Sequence, residues 1–476
     1  MFVDRNEELA FLNGLFTHQQ PGTAQLALVY GRRRVGKTEL LLHWARNSGV
    51  TFTYWAALRE PADLQRKGLF AQILGVGEDS APIHRSWPAM WKAIADLIQD
   101  KLHILILDEL PYAADSDPAM LSALQHAWDQ LFQNSRMVIV LCGSHVRVME
   151  TLLSRQSPLF GRMTAQWHLG PLPFSSLREF YPAWKPEERV AAYAIAGGIP
   201  AYLRWMDASR SLTDNIRDVI LNPRGMFLAE PAFLLYDEVR EPKHYLAILK
   251  AVGAGCHTLT EISDWSFIPR TSVNVYLNTL QELRLIERQL PATLRPGERA
   301  RSRAGRYHLS DPYFRFYFHF IAPFQEDKLD EPDEILQRIQ ANLRAFVGAT
   351  AFEDLARQWV IQQGKAGRLP FVPQAIGSHW SSRVQVDVVS VNWNSRDILL
   401  GECKWGVEKV DRQVIRDLLE TKTPLVLRDL PEMGEGWKIH HFAFARQGFT
   451  PAAKEEMKAA GGMLVDLSMM DELLGK

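Results

Sequence analysis

Short, nearly unbroken apolar runs alternate with helix-forming stretches over the first 150 residues. Residues 26–30, 50–56, 103–107 and 137–142 have the length and continuity of strands buried on both faces, and the alternation predicts a parallel sheet covered by helices. After Pro171 the pattern turns helical (175–181, 187–196, 201–206), predicting a helical lid over 171–239. Residues 259–265, a turn through 266–269 and residues 270–283 have the spacing of a helix-turn-helix, with Ser272, Asn274 and Asn278 near one face of the second helix. Two strands, 285–290 and 307–309, then flank an arginine-rich tip, so that 240–322 reads as a winged-helix domain. An acidic, proline-bearing stretch (323–334) predicts a linker over 323–339. Beyond it come a long helix, a hairpin, a helix, a strand, a helix and a last short strand, a second α/β unit over 340–476.

Composition adds bounds. The 476 residues, 47% apolar and 23% charged, suit a soluble protein of about three domains. The apolar runs are too short to cross a bilayer, and the N-terminal MFVDRNEELAFL lacks the apolar core of a signal peptide. Cys142, Cys256 and Cys403 are scattered, against a disulfide framework or a cysteine zinc site. A cytoplasmic protein without a membrane partner is therefore expected. The net charge of −1 gives no global sign of nucleic acid, but residues 240–322 hold 12 Lys/Arg against 7 Asp/Glu, a net of +5. Five of those arginines (Arg295, Arg299, Arg301, Arg303, Arg306) fall at the wing tip, the local footprint that phosphate contact needs. Arg270, at the start of the second helix, joins Asn274 and Asn278 as a candidate nucleic-acid contact.

The strongest chemical signal is GRRRVGKT at residues 31–38, a G-x-x-x-x-G-K-[ST] phosphate-binding loop between a strand and a helix. Gly31 and Gly36 let the backbone turn, and N–H groups along the loop, through Val35, Lys37 and Glu39, face a phosphate. Lys37 supplies charge at the β- and γ-phosphates, and the Thr38 hydroxyl can hold Mg²⁺. The run HILILDE at 103–109 places Asp108 at a strand end as a second Mg²⁺ holder, with Glu109 as the group that orients or deprotonates the attacking water. Ser144, ending the next strand, is a candidate γ-phosphate sensor. Arg162 is a candidate arginine finger, within the chain or across a homo-oligomer built through this domain, with a surface arginine as the alternative. ATP or ADP with Mg²⁺ is the expected cofactor set.

With LDELPY, CGS, SPLFGRM and GGIP, the loop resembles an archaeal and bacterial ATPase family within the STAND branch of AAA+-like NTPases, over residues 1 to about 205. The resemblance implies a P-loop core over 1–170 and a box at residues 2–8, including Val3 and Arg5, that contacts adenine and positions the loop. It also implies a proline near the base, Pro200, and a winged helix followed by a nuclease-like domain. STAND proteins use the winged helix as an internal clamp on the nucleotide, so DNA contact and an intramolecular role both stand at this point.

In the last domain Glu-x-Lys recurs by chance at Glu241/Lys243, Glu326/Lys328 and Glu456/Lys458. At Glu402-Cys403-Lys404 alone it follows two successive strands, residues 384–391 and 397–400. Residues i and i+2 of a strand share a face, which puts Glu402 and Lys404 together and turns Cys403 away. A turn centred between Asn394 and Ser395 pairs residues whose numbers sum to 789, which places Asp387 opposite Glu402 unless a bulge shifts the register. Two carboxylates so placed, with a lysine alongside, can chelate Mg²⁺ and steady a water for attack on phosphorus. The arrangement is similar to the PD-(D/E)xK nuclease core, which implies that Glu353 on the preceding helix is its further acidic residue and that the domain is restriction-endonuclease-like. Gln413 is a candidate substrate contact. The chain as a whole is expected to be an α/β protein: a P-loop NTPase with parallel sheet and helical lid, a winged helix, and a nuclease-like α/β domain. Function reads as an ATPase whose nucleotide state gates DNA binding and cleavage. A regulatory STAND switch that cuts nothing, and a ring-forming remodelling motor, are the alternatives.

Overall fold

The computed structural model describes residues 2–17, 23–99, 101–239, 241–324 and 332–474. These form two compact units, residues 1–172 with 199–201, and residues 173–198 with 202–476.

The smaller unit is built on five parallel strands: β1 (Gln25–Tyr30), β2 (Thr51–Ala56), β3 (His103–Asp108), β4 (Met137–Gly143) and β5 (Ala165–His168), in the order β2-β3-β4-β1-β5. The four apolar runs are its strands, and β4 is buried along its whole length. β5 was not legible, because AQWH is short and half-buried at the sheet edge. One face is covered by the helix Trp87–Ile98, whose N-cap Ser86 accepts the Ala89 N–H. Its Trp87, Met90, Trp91, Ile94 and Ile98 recur at helical spacing and are buried. Each contributes roughly 1.5–3 kcal/mol of apolar burial.

In the larger unit the helices Leu259–Ser266 and Arg270–Glu282 form the expected pair. Thr258 and Glu261 cap the first reciprocally, and Phe267, at φ 56°, makes the turn with its ring 94% exposed. β6 (Ile286–Gln289) pairs antiparallel with β7 (Arg306–Leu309). The expected linker over 323–339 is cut short: its middle, residues 325–331, lies outside the described residues, and from Pro332 the chain is already in the helix Pro332–Val347. Ile335, Leu336, Ile339 and Phe346 give that helix a buried stripe, which the acidic character of 323–334 masked.

The second sheet contains β8 (Ala375–Trp380), β9 (Gln385–Asn392), β10 (Asp397–Lys404), β11 (Lys438–Ala445) and β12 (Met463–Asp466), in the order β12-β11-β10-β9-β8. β9 runs antiparallel to both β8 and β10, while β11 and β12 run parallel to β10. The stretches expected as lid, winged helix and last domain pack into this one unit. Asp471, on the helix Leu467–Leu474, accepts from Arg178 (2.7 Å) and Arg189 (2.9 Å) of the helices Leu177–Phe180 and Pro186–Ala196, and Arg315 pairs with Asp354 (2.8 Å). The β6–β7 connection also lies on the edge strand β8. There the Ala292 N–H donates to Ser378 O (2.9 Å), Trp380 Nε1 donates to Ala304 O (3.0 Å), and the Thr293 hydroxyl meets His379 Nδ1 (2.7 Å). The edge is thereby covered, as sheet edges generally are.

Candidate functional site

The loop after β1 is shaped by its glycines. A Cβ on Gly31 would lie 2.3 Å from Leu169 O, so no side chain fits, and Gly36 sits at φ 91° just before the helix Lys37–Asn47. Lys37, 6% exposed, donates to Gly31 O (2.9 Å) and Arg32 O (3.1 Å), so its ammonium is folded back over the loop. Thr38 and Glu39 lie in the first helical turn, where backbone N–H groups and the helix dipole favour an anion.

The carboxylates follow from the parallel register. β3 ends at Asp108, 2% exposed, and its Oδ2 accepts from the Thr38 hydroxyl (2.6 Å) and from Tyr54 OH (3.0 Å). Burial and the Asp108 charge push the Tyr54 hydroxyl and the Cys142 thiol well above their ordinary values. A hydroxyl and a carboxylate in contact, both hard oxygen donors, suit Mg²⁺. Glu109, at φ 49°, turns its carboxylate to Ser144, whose hydroxyl donates to both oxygens (2.9 and 2.8 Å) and whose N–H lies 3.3 Å away. Ser144, expected to sense a phosphate, thus orients Glu109.

Arg5 anchors the loop from the N-terminal box. Its guanidinium donates to Val35 O and Gly170 O (both 2.9 Å) and pairs with Glu8 (2.8 Å), while Val3 is buried and Phe2 stacks on His43 at 3.8 Å. Pro200 reaches the same loop, with its Cγ 3.8 Å from where a Gly36 Cβ would stand. Arg162 requires a correction. It is held bidentate by Asp129 (2.8 and 2.7 Å) and donates to Pro158 O and Phe160 O, so its donors serve the fold and it does not stand ready as a finger.

The second candidate centre lies on β9 and β10. Their ladder has the expected register from Asp397↔Asn392 to Gly401↔Val388 and stops one pair before Asp387 and Glu402. A bulge lies beside this point: against β8 the register of β9 shifts between Val389 and Val386, around Asp387. Asp387 therefore does not simply face Glu402 across a continuous ladder; its carboxylate accepts the Cys403 N–H (2.9 Å). Burial and the Glu402 charge raise Asp387, and burial and the Asp387 charge raise Glu353 to about 8. Glu402, 5% exposed, is gripped by Lys404 and Lys422, both at 2.7 Å. Burial pulls Lys404 down, but the hydrogen bond and charge of Glu402 outweigh it and hold the ammonium above its ordinary value. Among the described residues no three His, Cys, Asp or Glu side chains gather as a metal cluster. Asp387 and Glu353, with their raised carboxyls, are hard oxygen donors of the kind Mg²⁺ takes, whereas both Glu402 oxygens are already held by lysines.

On the helix Arg270–Glu282, Arg270, Asn274 and Asn278 recur every four residues and are exposed. Arg301 and Arg303 are exposed in the β6–β7 connection and Arg299 is half-buried. Gln413 is exposed on the helix Arg412–Arg416. Sequence reasoning missed Tyr54, Lys422 and Arg357. Arg357 donates to Asp387 O (2.9 Å) and pairs with Asp354 and Glu353. The single signal was for Tyr54, a hydroxyl near the end of the strand beside β3; Lys422 and Arg357 reach the centre through tertiary packing.

Comparison with known proteins agrees with this architecture. Residues 2–206 match the model of an ATPase domain found predominantly in Archaea, and residues 317–415 match a family of archaeal and bacterial proteins of unknown function. The chain is 32% identical over 431 residues to the uncharacterized protein MJECL04 of Methanocaldococcus jannaschii, covering 90% of this chain and 91% of that one. Over 50 residues it is 44% identical to the uncharacterized ATP-binding protein MJ0423 of the same organism, covering 10% of this chain and 80% of that one. Among solved structures, the Walker-type ATPase PABY2304 of Pyrococcus abyssi is similar in fold, with a TM-score of 0.50 and 19% identity over 67% of this chain and 96% of the other. Among the described residues no helix is long and apolar enough to cross a membrane. The chain belongs to the family of MJECL04, and its first 206 residues carry a P-loop ATPase domain of the predominantly archaeal type.

Proposed function

We propose that this protein binds and hydrolyses ATP on the loop of residues 31–38, and that its nucleotide state governs nucleic-acid engagement and Mg²⁺-dependent cleavage by the last domain. In the ATPase, Lys37 meets the β- and γ-phosphates, and Thr38 and Asp108 hold the cation. Glu109, steadied by Ser144, takes the proton of the attacking water. Arg5 and Pro200 shape the loop from outside it.

The observation that carries the cleavage reading is the convergence of Asp387, Glu402, Lys404 and Glu353 at the end of the β9–β10 ladder, with Asp387 raised by burial and the Glu402 charge and Glu353 raised by burial and the Asp387 charge. Asp387, Glu402 and Glu353 would hold Mg²⁺, which supplies charge neutralisation at phosphorus and a more acidic water. Lys404 places an ammonium beside the carboxylates, where it can orient the nucleophile or stabilise charge on the phosphate. The segment 240–322 acts as a winged helix: Arg270, Asn274 and Asn278 face the nucleic acid, and the wing arginines meet phosphates. Its connection, seated on β8, ties the reading helix to the cleaving domain.

A second reading, a regulatory switch that cuts nothing, is favoured by one feature: both Glu402 oxygens are occupied by lysines. Oligonucleotide cleavage with Mg²⁺ separates the two. Cleavage by the wild type that is lost in Asp387→Asn, with ATPase activity kept, supports the first reading. Absence of cleavage with Mg²⁺ or Mn²⁺ supports the second.

A further inference from the structure

Between the β6–β7 hairpin and the helix Glu353–Lys365 lies a cavity of about 510 Å³, within the range of sites that enclose a small organic ligand. Arg315 and Arg357, in its wall, are committed to Asp354 at 2.8 and 2.6 Å. Arg306 is different. Its guanidinium lies over the Trp380 ring at 5.0 Å, and among the described residues it has no hydrogen bond or ion pair. A planar cation resting on an indole is weakly hydrated and keeps its donors for a phosphate. Close to Arg306, burial and then the charges of His257, Arg315 and Arg306 hold His308 down to about 3, while Glu287, Glu353 and Asp354 supply carboxylates elsewhere in the lining. The lining also offers a ring. His319 is exposed and is backed by the buried Phe346, with the rings 5.6 Å apart and 27° from parallel. Glu353 completes the wall, so the cavity opens onto the acidic centre.

We propose that this cavity holds one nucleotide of a single-stranded nucleic acid, with its phosphate on Arg306 and its base stacked on His319. The chain then passes to the next phosphate at Glu353. An uncommitted arginine, an aromatic platform and a half-open cavity of this size suit one splayed nucleotide better than the face of a duplex. Binding here does not require cleavage. Only the role of the next phosphate rests on the cleavage reading, which makes the substrate a strand end, a flap or an unpaired segment.

The test is fluorescence polarisation of a labelled single-stranded hexanucleotide with the full chain in EDTA, where no metal-dependent cleavage occurs. Wild type is expected to bind the single strand at least tenfold more tightly than a blunt duplex of equal length. Arg306→Gln and His319→Ala are each expected to weaken binding fivefold or more. Arg306→Gln should also lower the salt slope by about 0.7, the value of one neutralised single-strand phosphate. Arg306→Lys, which keeps the charge and loses the planar fork, is expected to fall between. An unchanged melting transition of the larger unit, which carries both residues, shows that each variant is folded. Competition by dTMP at concentrations that match the strand's own affinity would assign the cavity to a free nucleotide and overturn the strand proposal. Unchanged hexanucleotide affinity in both Arg306→Gln and His319→Ala would overturn it as well. Should the single strand bind as expected while wild type with Mg²⁺ cuts nothing, the cavity stands and the cleavage reading falls.

Discussion

Replacing Asp471 with Ala removes the carboxylate that holds the helices Leu177–Phe180 and Pro186–Ala196 to the helix Leu467–Leu474. Asp471 is 8% exposed and takes two hydrogen bonds from Arg189 (3.1 and 2.9 Å) and one from Arg178 (2.7 Å). Arg189 is itself buried, donates otherwise to Trp184 O (2.6 Å), and has no partner at Nε among the described residues, so the substitution strands a guanidinium away from water. Breaking a buried pair from one side costs about 3–5 kcal/mol. The pair with Arg178, 39% exposed on the arginine side, adds at most about 1 kcal/mol. At roughly 2 °C per kcal/mol for a unit this large, the expected fall in melting temperature is about 6–10 °C. Calorimetry of the full chain reads it directly, because ATP should raise the transition of the unit bearing the loop and leave the other in place. The double variant Asp471→Leu with Arg189→Met removes both charges together and is expected to recover most of the loss. A fall below about 2 °C, or a double variant as damaged as the single one, would refute the reasoning.

Three further outcomes are expected. Lys37→Ala should abolish or greatly weaken ATP binding, whereas Glu109→Gln should bind ATP and fail to hydrolyse it; wild-type turnover by Glu109→Gln would show that another group is the base. His308 and His441 are held neutral by burial down to about 3 and about 4. The unfolded chain protonates them near 6.5, so the larger unit should lose stability as pH falls from about 6.5 toward 4, and a melting temperature that is flat or rising over that window would contradict this. Neutralising Arg299, Arg301 and Arg303 together should weaken duplex binding and reduce its salt slope by up to about 0.9 for each phosphate no longer neutralised, while unchanged affinity and slope would leave the winged helix as an internal clamp.

What the sequence made legible was local. Lys37, Thr38 and Asp108 could be placed because a strand–loop–helix and a parallel register bring fixed offsets together, and the β9–β10 register followed from a turn centred between Asn394 and Ser395. What stayed hidden depended on partners distant in sequence. The bulge beside Asp387 arises from pairing with β8, a strand the alternation did not expose. Arg162 has the look of an available arginine in sequence, and only the fold brings Asp129, on another element, to hold it. That Glu109, at positive φ, turns its carboxylate to Ser144 is likewise invisible locally. The seating of the wing on β8 rests on pairs such as Thr293 with His379, which span 86 residues.

The central claim is that nucleotide state on the loop controls cleavage at Asp387, Glu402 and Lys404. Its most direct test is the rate of single-strand cleavage in Mg²⁺ with ATP, with ADP and without nucleotide, for wild type and for Glu109→Gln, which should remain in the ATP-bound state. The expected result is a wild-type rate that differs at least tenfold between ATP and ADP, with Glu109→Gln fixed at the ATP value whatever the time of incubation. Equal rates in all three nucleotide conditions, or no cleavage in any of them, would contradict the account.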